Sequence, residues 1–124
     1  VEGPLAELTA REGVGIIPFY GLAAGFLTGK YRSEADLGKS PRGGGVVGKY
    51  LNDKGLRILA AMDKVAERTG AAHAEIALAW VAAQPAVAAP IASATSVKQV
   101  ESLARGARLE LSAEDLRDLT EAGQ

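Results

Sequence analysis

Two short apolar runs, each followed at once by small and polar residues, constrain the fold of this chain most. The first is residues 14–19, Val-Gly-Ile-Ile-Pro-Phe, and the second is residues 87–92, Val-Ala-Ala-Pro-Ile-Ala. Continuous apolar runs of this length are typical of strands buried on both faces of a parallel sheet. Because helical patterns surround both runs, the order of elements predicts an α/β fold built from parallel strand–helix units.

The helices are predicted from apolar spacing and from residues that begin or end helices. Apolar residues recur at helical spacing over residues 56–69 and 74–83, and again after two serines that can cap a helix. In the run Ser96-Val97-Lys98-Gln99 the serine and glutamine match a capping box. The expected helix starts and ends are Pro4, Gly13, Gly70, Ser96 and Ser112.

The chain is expected to be a single partial domain over residues 1–124. Two parallel strands cannot close a barrel, and they leave the edges of a sheet uncovered. The chain also begins with Val1 rather than methionine, so we expect it to be a piece of a longer polypeptide. Residues 32–54 are polar and contain three consecutive glycines, which predicts a long loop that is either a functional excursion or mobile.

Composition excludes several kinds of partner and chemistry. The chain has fourteen Lys and Arg residues and fifteen Asp and Glu residues, so it has no surplus of basic charge for binding nucleic acid or an anionic membrane. The absence of cysteine excludes disulfides, zinc–thiolate sites and a cysteine nucleophile, and it suits a cytoplasmic protein. We expect no metal site. The single histidine, His73, begins an alanine-rich helix, where a surface or capping role is expected rather than catalysis.

The loops that follow the two apolar runs have the composition of phosphate-binding loops. Residues 18–31 read Pro-Phe-Tyr-Gly-Leu-Ala-Ala-Gly-Phe-Leu-Thr-Gly-Lys-Tyr, and small residues after a strand let backbone amides approach an anion. The P-loop pattern fails, because three residues rather than four separate Gly25 from Gly29. Residues 90–99 run from a strand end into a helix N-terminus, which also attracts phosphate. Ordinary turn and capping chemistry stays open for each loop by itself.

Taken together, these segments resemble the aldo-keto reductase family. Residues 19–31 match its aromatic–small–small–Leu-Ala-x-Gly loop that runs into Leu-Thr-Gly-Lys-Tyr, and residues 76–80 match its Val-Ala-Leu-x-Trp helix. Residues 90–99 and the closing Leu-Glu-Leu-Ser of residues 109–112 fit as well. The resemblance implies the C-terminal part of a (β/α)8 TIM barrel, helix-rich, with about two parallel strands in this chain.

The resemblance also implies which residues contact a nicotinamide cofactor. Phe19 is placed against the nicotinamide, the residues after it wrap the pyrophosphate, and the second loop holds the adenosine phosphate. NADP, as NADPH, is the expected cofactor, with NAD as an alternative because neither position 93 nor position 99 carries Arg or Lys. The implied cofactor-binding residues are Phe19, Tyr20, Gly21, Leu22, Ala23, Ala24, Lys30, Arg42, Ser93, Thr95, Gln99 and Ser102.

The family reduces carbonyl compounds with a tyrosine, lysine, aspartate and histidine set that lies on earlier strands of its barrel. No residue of this chain matches that set, so no catalytic residue is assigned and the chain alone is expected to be inactive. The leading hypothesis is the C-terminal portion of an NADP(H)-dependent oxidoreductase acting on a small carbonyl substrate. The alternatives are a non-catalytic dinucleotide-binding module and an assembly protein that forms a homo-oligomer through its exposed strand edges and helix faces.

Overall fold

The computed structural model describes residues 2–29 and 43–124, and the fold is built mainly from helices. Over those residues the elements are α1 (Pro4–Arg11), a 3₁₀ helix (Ala23–Thr28), α2 (Gly43–Tyr50), α3 (Asp53–Thr69), α4 (His73–Ala82), α5 (Val97–Arg108) and α6 (Ala113–Ala122). In this part of the chain, no helix is both long enough and apolar enough to cross a bilayer.

Local capping explains where the later helices begin and end. The Ser96 hydroxyl accepts a hydrogen bond from the Gln99 amide at 3.2 Å, and the Ser112 hydroxyl accepts one from the Asp115 amide at 3.1 Å. Each bond satisfies a backbone donor that has no partner inside its own helix. Gly70 ends α3 with φ +72°, a left-handed conformation that glycine adopts without strain. The predicted helix starts at Ser96 and Ser112 and the end at Gly70 are confirmed.

Part of the segment predicted as a long loop is helical. Residues 43–50 form α2, although this helix begins with three glycines. Its last residue, Tyr50, stacks on Phe26 of the 3₁₀ helix with ring centroids 5.8 Å apart. Packing against the core therefore outweighs the low helix propensity of glycine. Residues 30–42, which include the predicted cofactor contacts Lys30 and Arg42, lie outside the described residues.

One apolar core joins the 3₁₀ helix to helices α3, α4 and α6. Its buried members are Phe26, Leu59, Met62, Val65, Ile76, Ala77 and Leu119. Helix α4 is the central element, because it packs against α3, α5 and the 3₁₀ helix. Its near-continuous apolar sequence follows from that position, since a helix contacted on several sides has little surface left for polar residues.

The two predicted strands lie side by side and parallel, but they do not form a regular ladder. Within residues 2–29 and 43–124 the only β-bridge joins Ile16 to Val87 in the parallel sense. Ile16 donates to the Ala86 carbonyl at 2.8 Å and accepts from the Ala88 amide at 2.9 Å. The prediction of two strands is therefore wrong for this part of the chain, while the predicted parallel pairing is present.

Two prolines account for the short ladder. In a parallel pair the next donors after this bridge are the nitrogens of residues 18 and 90, and both residues are proline. Because proline has no N–H, neither bond can form, and pairing resumes only where the Ile91 amide donates to the Pro18 carbonyl at 3.1 Å. We refer to residues 14–19 and 87–92 as the first and second extended segments.

The expected burial of both extended segments is also wrong for this chain. In the first segment Val14 is 55% exposed and Ile17 is 59% exposed, and in the second Ile91 is 54% exposed. Close contact between the segments occurs at Gly15, where an added Cβ would lie 3.0 Å from the Ala88 Cβ. The segments thus contact each other closely at Gly15 and Ala88, and apolar side chains of both are left exposed to solvent.

Helices α3 and α6 are joined by an ion cluster around Arg68. Its guanidinium lies 2.6 Å from a carboxylate oxygen of Asp115, 3.1 Å from Asp118 and 3.9 Å from Glu114. Asp115 is only 4% exposed, so this contact is shielded from solvent on one side. Arg68 therefore connects two helices.

Candidate functional site

The extended segments bring two loops to one edge of the molecule. The hydrogen bond from the Ile91 amide to the Pro18 carbonyl, 3.1 Å long, is the last one between the segments in the described residues. Phe19 and Tyr20 follow directly on one side, and Ala92 and Ser93 follow on the other. Because the segments are parallel, both loops begin at the carboxyl ends of their segments. In parallel sheets this is the edge where ligands bind.

The first loop begins with two exposed aromatic rings. Phe19 is 69% exposed and Tyr20 is 61% exposed, and their ring centroids lie 4.6 Å apart. The next residue, Gly21, is buried against α4, where an added Cβ would lie 3.2 Å from the Leu78 side chain. The backbone thus turns inward at Gly21 while the two rings stay at the surface, where an aromatic ligand can stack on them.

The rest of the first loop is a tight turn held by a buried ring. Ala23 has φ +49°, an unusual conformation for a residue with a side chain, and it begins the 3₁₀ helix that also contains Ala24. Within this helix the Thr28 hydroxyl donates to the Gly25 carbonyl at 2.6 Å. Phe26 is 1% exposed and holds the loop to the core. Leu22 is half-buried and packs against the core.

The second loop ends in the exposed first turn of α5. Ser93 is exposed, and the Gln99 side-chain oxygen accepts from the Thr95 amide at 2.6 Å and from the Thr95 hydroxyl at 3.0 Å. The predicted capping box is therefore half present: Ser96 caps the helix, but the glutamine bonds to Thr95 rather than to Ser96. The free amides and the helix dipole make this turn attractive to an anion.

Ser102, predicted to contact the cofactor, has its hydroxyl directed into the protein. It donates to Glu75 Oε1 at 3.0 Å, and Arg105 Nε donates to the same oxygen at 3.0 Å. Burial raises the pKa of Glu75, but the hydrogen bonds from Arg105, Ser102 and the Ala72 amide outweigh it, so the pKa lies below its ordinary value. The sequence analysis did not identify Glu75 as a buried residue with partners on α5. An acidic residue within an otherwise apolar helix was the signal that could have indicated it.

Lys98 is a second residue that the sequence analysis did not assign. It lies exposed in the first turn of α5, between the capping serine and Gln99. A cation at that position can neutralise an anion bound at the helix N-terminus. His73 lies elsewhere, half-buried at the start of α4, with its Nε2 2.7 Å from Asp63 Oδ1. In residues 2–29 and 43–124 no cluster of His, Asp and Glu side chains is suited to a metal ion.

An apolar cavity of about 330 Å³ lies behind the first loop, between α3, α4 and α6. Met62, Trp80 and Leu119 line it, and the Trp80 indole donates to the Thr120 hydroxyl at 3.0 Å. Tyr20 and Gly21 of the first loop also line it. Its lining suits an apolar group rather than a phosphate, so the cavity adjoins the first loop but is no site for the pyrophosphate.

Comparisons with known proteins agree with the motifs. The model of the aldo/keto reductase family matches residues 1–124. The chain is 32% identical to Protein tas of Escherichia coli strain K12 over 120 residues, 93% of this chain and 34% of that protein. It is 36% identical to an oxidoreductase of Mycobacterium tuberculosis strain H37Rv over 125 residues, 98% of this chain and 36% of that protein. A probable aldo-keto reductase 1 of Glycine max is 30% identical over 127 residues, 98% of this chain and 36% of that protein. The chain thus spans about a third of the length of these curated relatives.

Proposed function

The chain belongs to the aldo/keto reductase family, and on that premise we propose that it forms the cofactor-binding part of an NADP(H)-dependent oxidoreductase. The single observation that carries the proposal is the parallel pairing of Ile16 with Val87, which brings the two predicted cofactor loops to one edge. The substrate class in the whole protein is a small carbonyl compound or the corresponding alcohol. The chain spans about a third of its relatives, so this activity is proposed for the longer polypeptide.

The residues at the two-loop edge fit a nicotinamide dinucleotide. The exposed Phe19 ring offers a face for the nicotinamide, and the tight turn after Gly21 lets backbone amides approach the pyrophosphate. On the other side Lys98 and Gln99 lie exposed in the first turn of α5, where the adenosine phosphate would bind, and Ser93 is exposed in the loop before it. Ser102 takes no direct part in this proposal, because its hydroxyl bonds to Glu75.

The bound nicotinamide supplies the hydride for carbonyl reduction. The chain's own contribution is to hold the dinucleotide and so to orient its nicotinamide. One loop would bind the nicotinamide end and the other the adenosine end, and the buried Phe26 holds the first loop to the core. The proton donor and the groups that orient substrate are proposed to lie in a part of the polypeptide that precedes these residues. The exposed apolar side chains of Val14 and Ile17, which further strands of a barrel would cover, support the presence of such strands in the longer polypeptide.

Those same exposed side chains favour a second candidate, a module that assembles with a copy of itself. Val14, Ile17 and Ile91 are each more than half exposed along the paired segments, and exposed apolar side chains that lie together promote association between chains. Sedimentation of the purified chain tests this candidate. A monomer at micromolar concentration would exclude it, whereas a concentration-dependent dimer would support it.

Titration calorimetry with NADPH and with NADH tests the proposed function. We expect NADPH to bind more tightly than NADH. Lys98→Ala should weaken NADPH binding by about tenfold, the effect of losing one charge-assisted hydrogen bond. Lys64→Ala is the matched control, because Lys64 is an exposed lysine on α3. Absence of binding at millimolar NADPH, or equal effects of the two substitutions, would count against the proposal.

A further inference from the structure

Glu75 is a buried carboxylate that connects the start of α4 to the middle of α5. It is 6% exposed, and a buried carboxylate is unfavourable unless hydrogen bonds satisfy its oxygens. Ser102 and Arg105 of α5 both donate to Oε1 at 3.0 Å. The Ala72 amide donates to Oε2 at 3.3 Å. Two of the three donors therefore come from α5.

The backbone of α5 also lies against Glu75 itself. An added Cβ at Gly106 would lie 3.1 Å from the Glu75 Cα and 3.4 Å from its carbonyl oxygen. Ser102, Arg105 and Gly106 are spaced by three and four residues, so they share one face of the helix. Hydrogen bonds to one oxygen from two successive turns, next to this close contact, fix both the rotation of α5 and its height along its axis.

The first turn of α5 has fewer restraints of its own. Val97 is 76% exposed and Val100 is 56% exposed. The hydrogen bonds at this end join residues close in sequence, such as Ser96 with Gln99 and Thr95 with Gln99. At 1.5 Å per residue, Ser102 lies about 8 Å along the axis from the start of the helix. The direction in which the first turn points is therefore set by the contacts that begin at Ser102.

We propose that Glu75 is a positioning residue for the cofactor phosphate. It holds α5 so that the amides of its first turn and Lys98 face the position of the adenosine phosphate. This inference rests on the proposed function. It assigns Glu75, Ser102 and Arg105 to the support of the phosphate site rather than to contact with the cofactor.

The test combines ligand binding with hydrogen exchange. Glu75→Gln and Arg105→Met are compared with Arg68→Met, which breaks a similar ion contact between α3 and α6. Calorimetry gives the dissociation constants for NADPH and for adenosine 2′,5′-bisphosphate, and mass spectrometry follows amide exchange over residues 94–100 without ligand. We expect both test variants to raise the dissociation constants of the two ligands by about tenfold, as for one lost hydrogen bond to a charged group. Amide exchange in the first turn should become faster.

Arg68→Met is expected to lower the stability of the chain while leaving ligand affinity and first-turn exchange unchanged. Wild-type affinity and exchange in a folded Glu75→Gln variant would overturn the inference. Should that variant not fold, Arg105→Met decides by the same criteria, because Arg105 has a 58% exposed side chain and its loss opens no buried cavity. If the wild-type chain binds neither ligand, the proposed function fails, and the exchange measurement alone decides whether Glu75 positions the turn.

Discussion

Replacing Gly55 with alanine perturbs the contact that holds the first loop to the core. Gly55 is buried in the first turn of α3, and its amide donates to the Asn52 side chain at 2.9 Å. An added Cβ would overlap the Tyr50 carbonyl oxygen and lie 3.0 Å from the Phe26 ring. A backbone oxygen blocks it on one side and a buried ring on the other, and neither is the end of a flexible side chain.

The expected magnitude follows from two opposing effects. Alanine favours a helix over glycine by up to about 1 kcal/mol. Inserting a methyl group into a packed site costs about 1–3 kcal/mol, and we take about 3 kcal/mol here because one of the obstructing atoms belongs to the backbone. The net prediction is a loss of about 2 kcal/mol for Gly55→Ala. That is a substantial fraction of the stability of about 5–15 kcal/mol that is usual for a domain.

Urea denaturation followed by Trp80 fluorescence and circular dichroism measures this loss. Gly48→Ala is the matched control, since Gly48 is exposed in α2 and an added Cβ there meets none of the described atoms within 4 Å. The same substitution should then stabilise the chain by up to about 1 kcal/mol. If Gly55→Ala proved as stable as wild type, the packing of α3 against Tyr50 and Phe26 would not be as described.

Two further outcomes follow from the core and from the buried carboxylate. Phe26→Ala should lower the free energy of unfolding by about 3–5 kcal/mol because the ring is 1% exposed, and urea denaturation measures this loss. Because its folded-state pKa is lowered, Glu75 stabilises the fold above the ordinary value of 4.5, and this contribution is lost as the pH falls through the folded-state pKa. The midpoint temperature of thermal denaturation should therefore fall less steeply from pH 7 to pH 3 for Glu75→Gln than for wild type. Equal pH dependence of the two midpoints would refute this role of Glu75.

The features that sequence reasoning found are those determined by neighbours along the chain. The helix starts at Ser96 and Ser112 were predictable because each serine caps an amide three residues later. The contacts that it missed join residues far apart in sequence. Glu75 meets Arg105 across two helices, and the Phe26 ring, 29 residues before Gly55, lies against the position that a Cβ at residue 55 would take. No local pattern reveals such pairs, because their proximity depends on how the helices pack.

The prolines show why one sequence feature misled the strand prediction yet supported the site. Pro18 and Pro90 lie inside runs whose apolar character is typical of strands, so the residue pattern predicted a ladder. The missing N–H groups reduce that ladder to the bridge between Ile16 and Val87. Both prolines occur near the carboxyl ends of the paired segments. The last hydrogen bond between the segments in the described residues joins Ile91 to Pro18, and each loop begins directly after it. The proposed function places the two halves of the dinucleotide at these two loops.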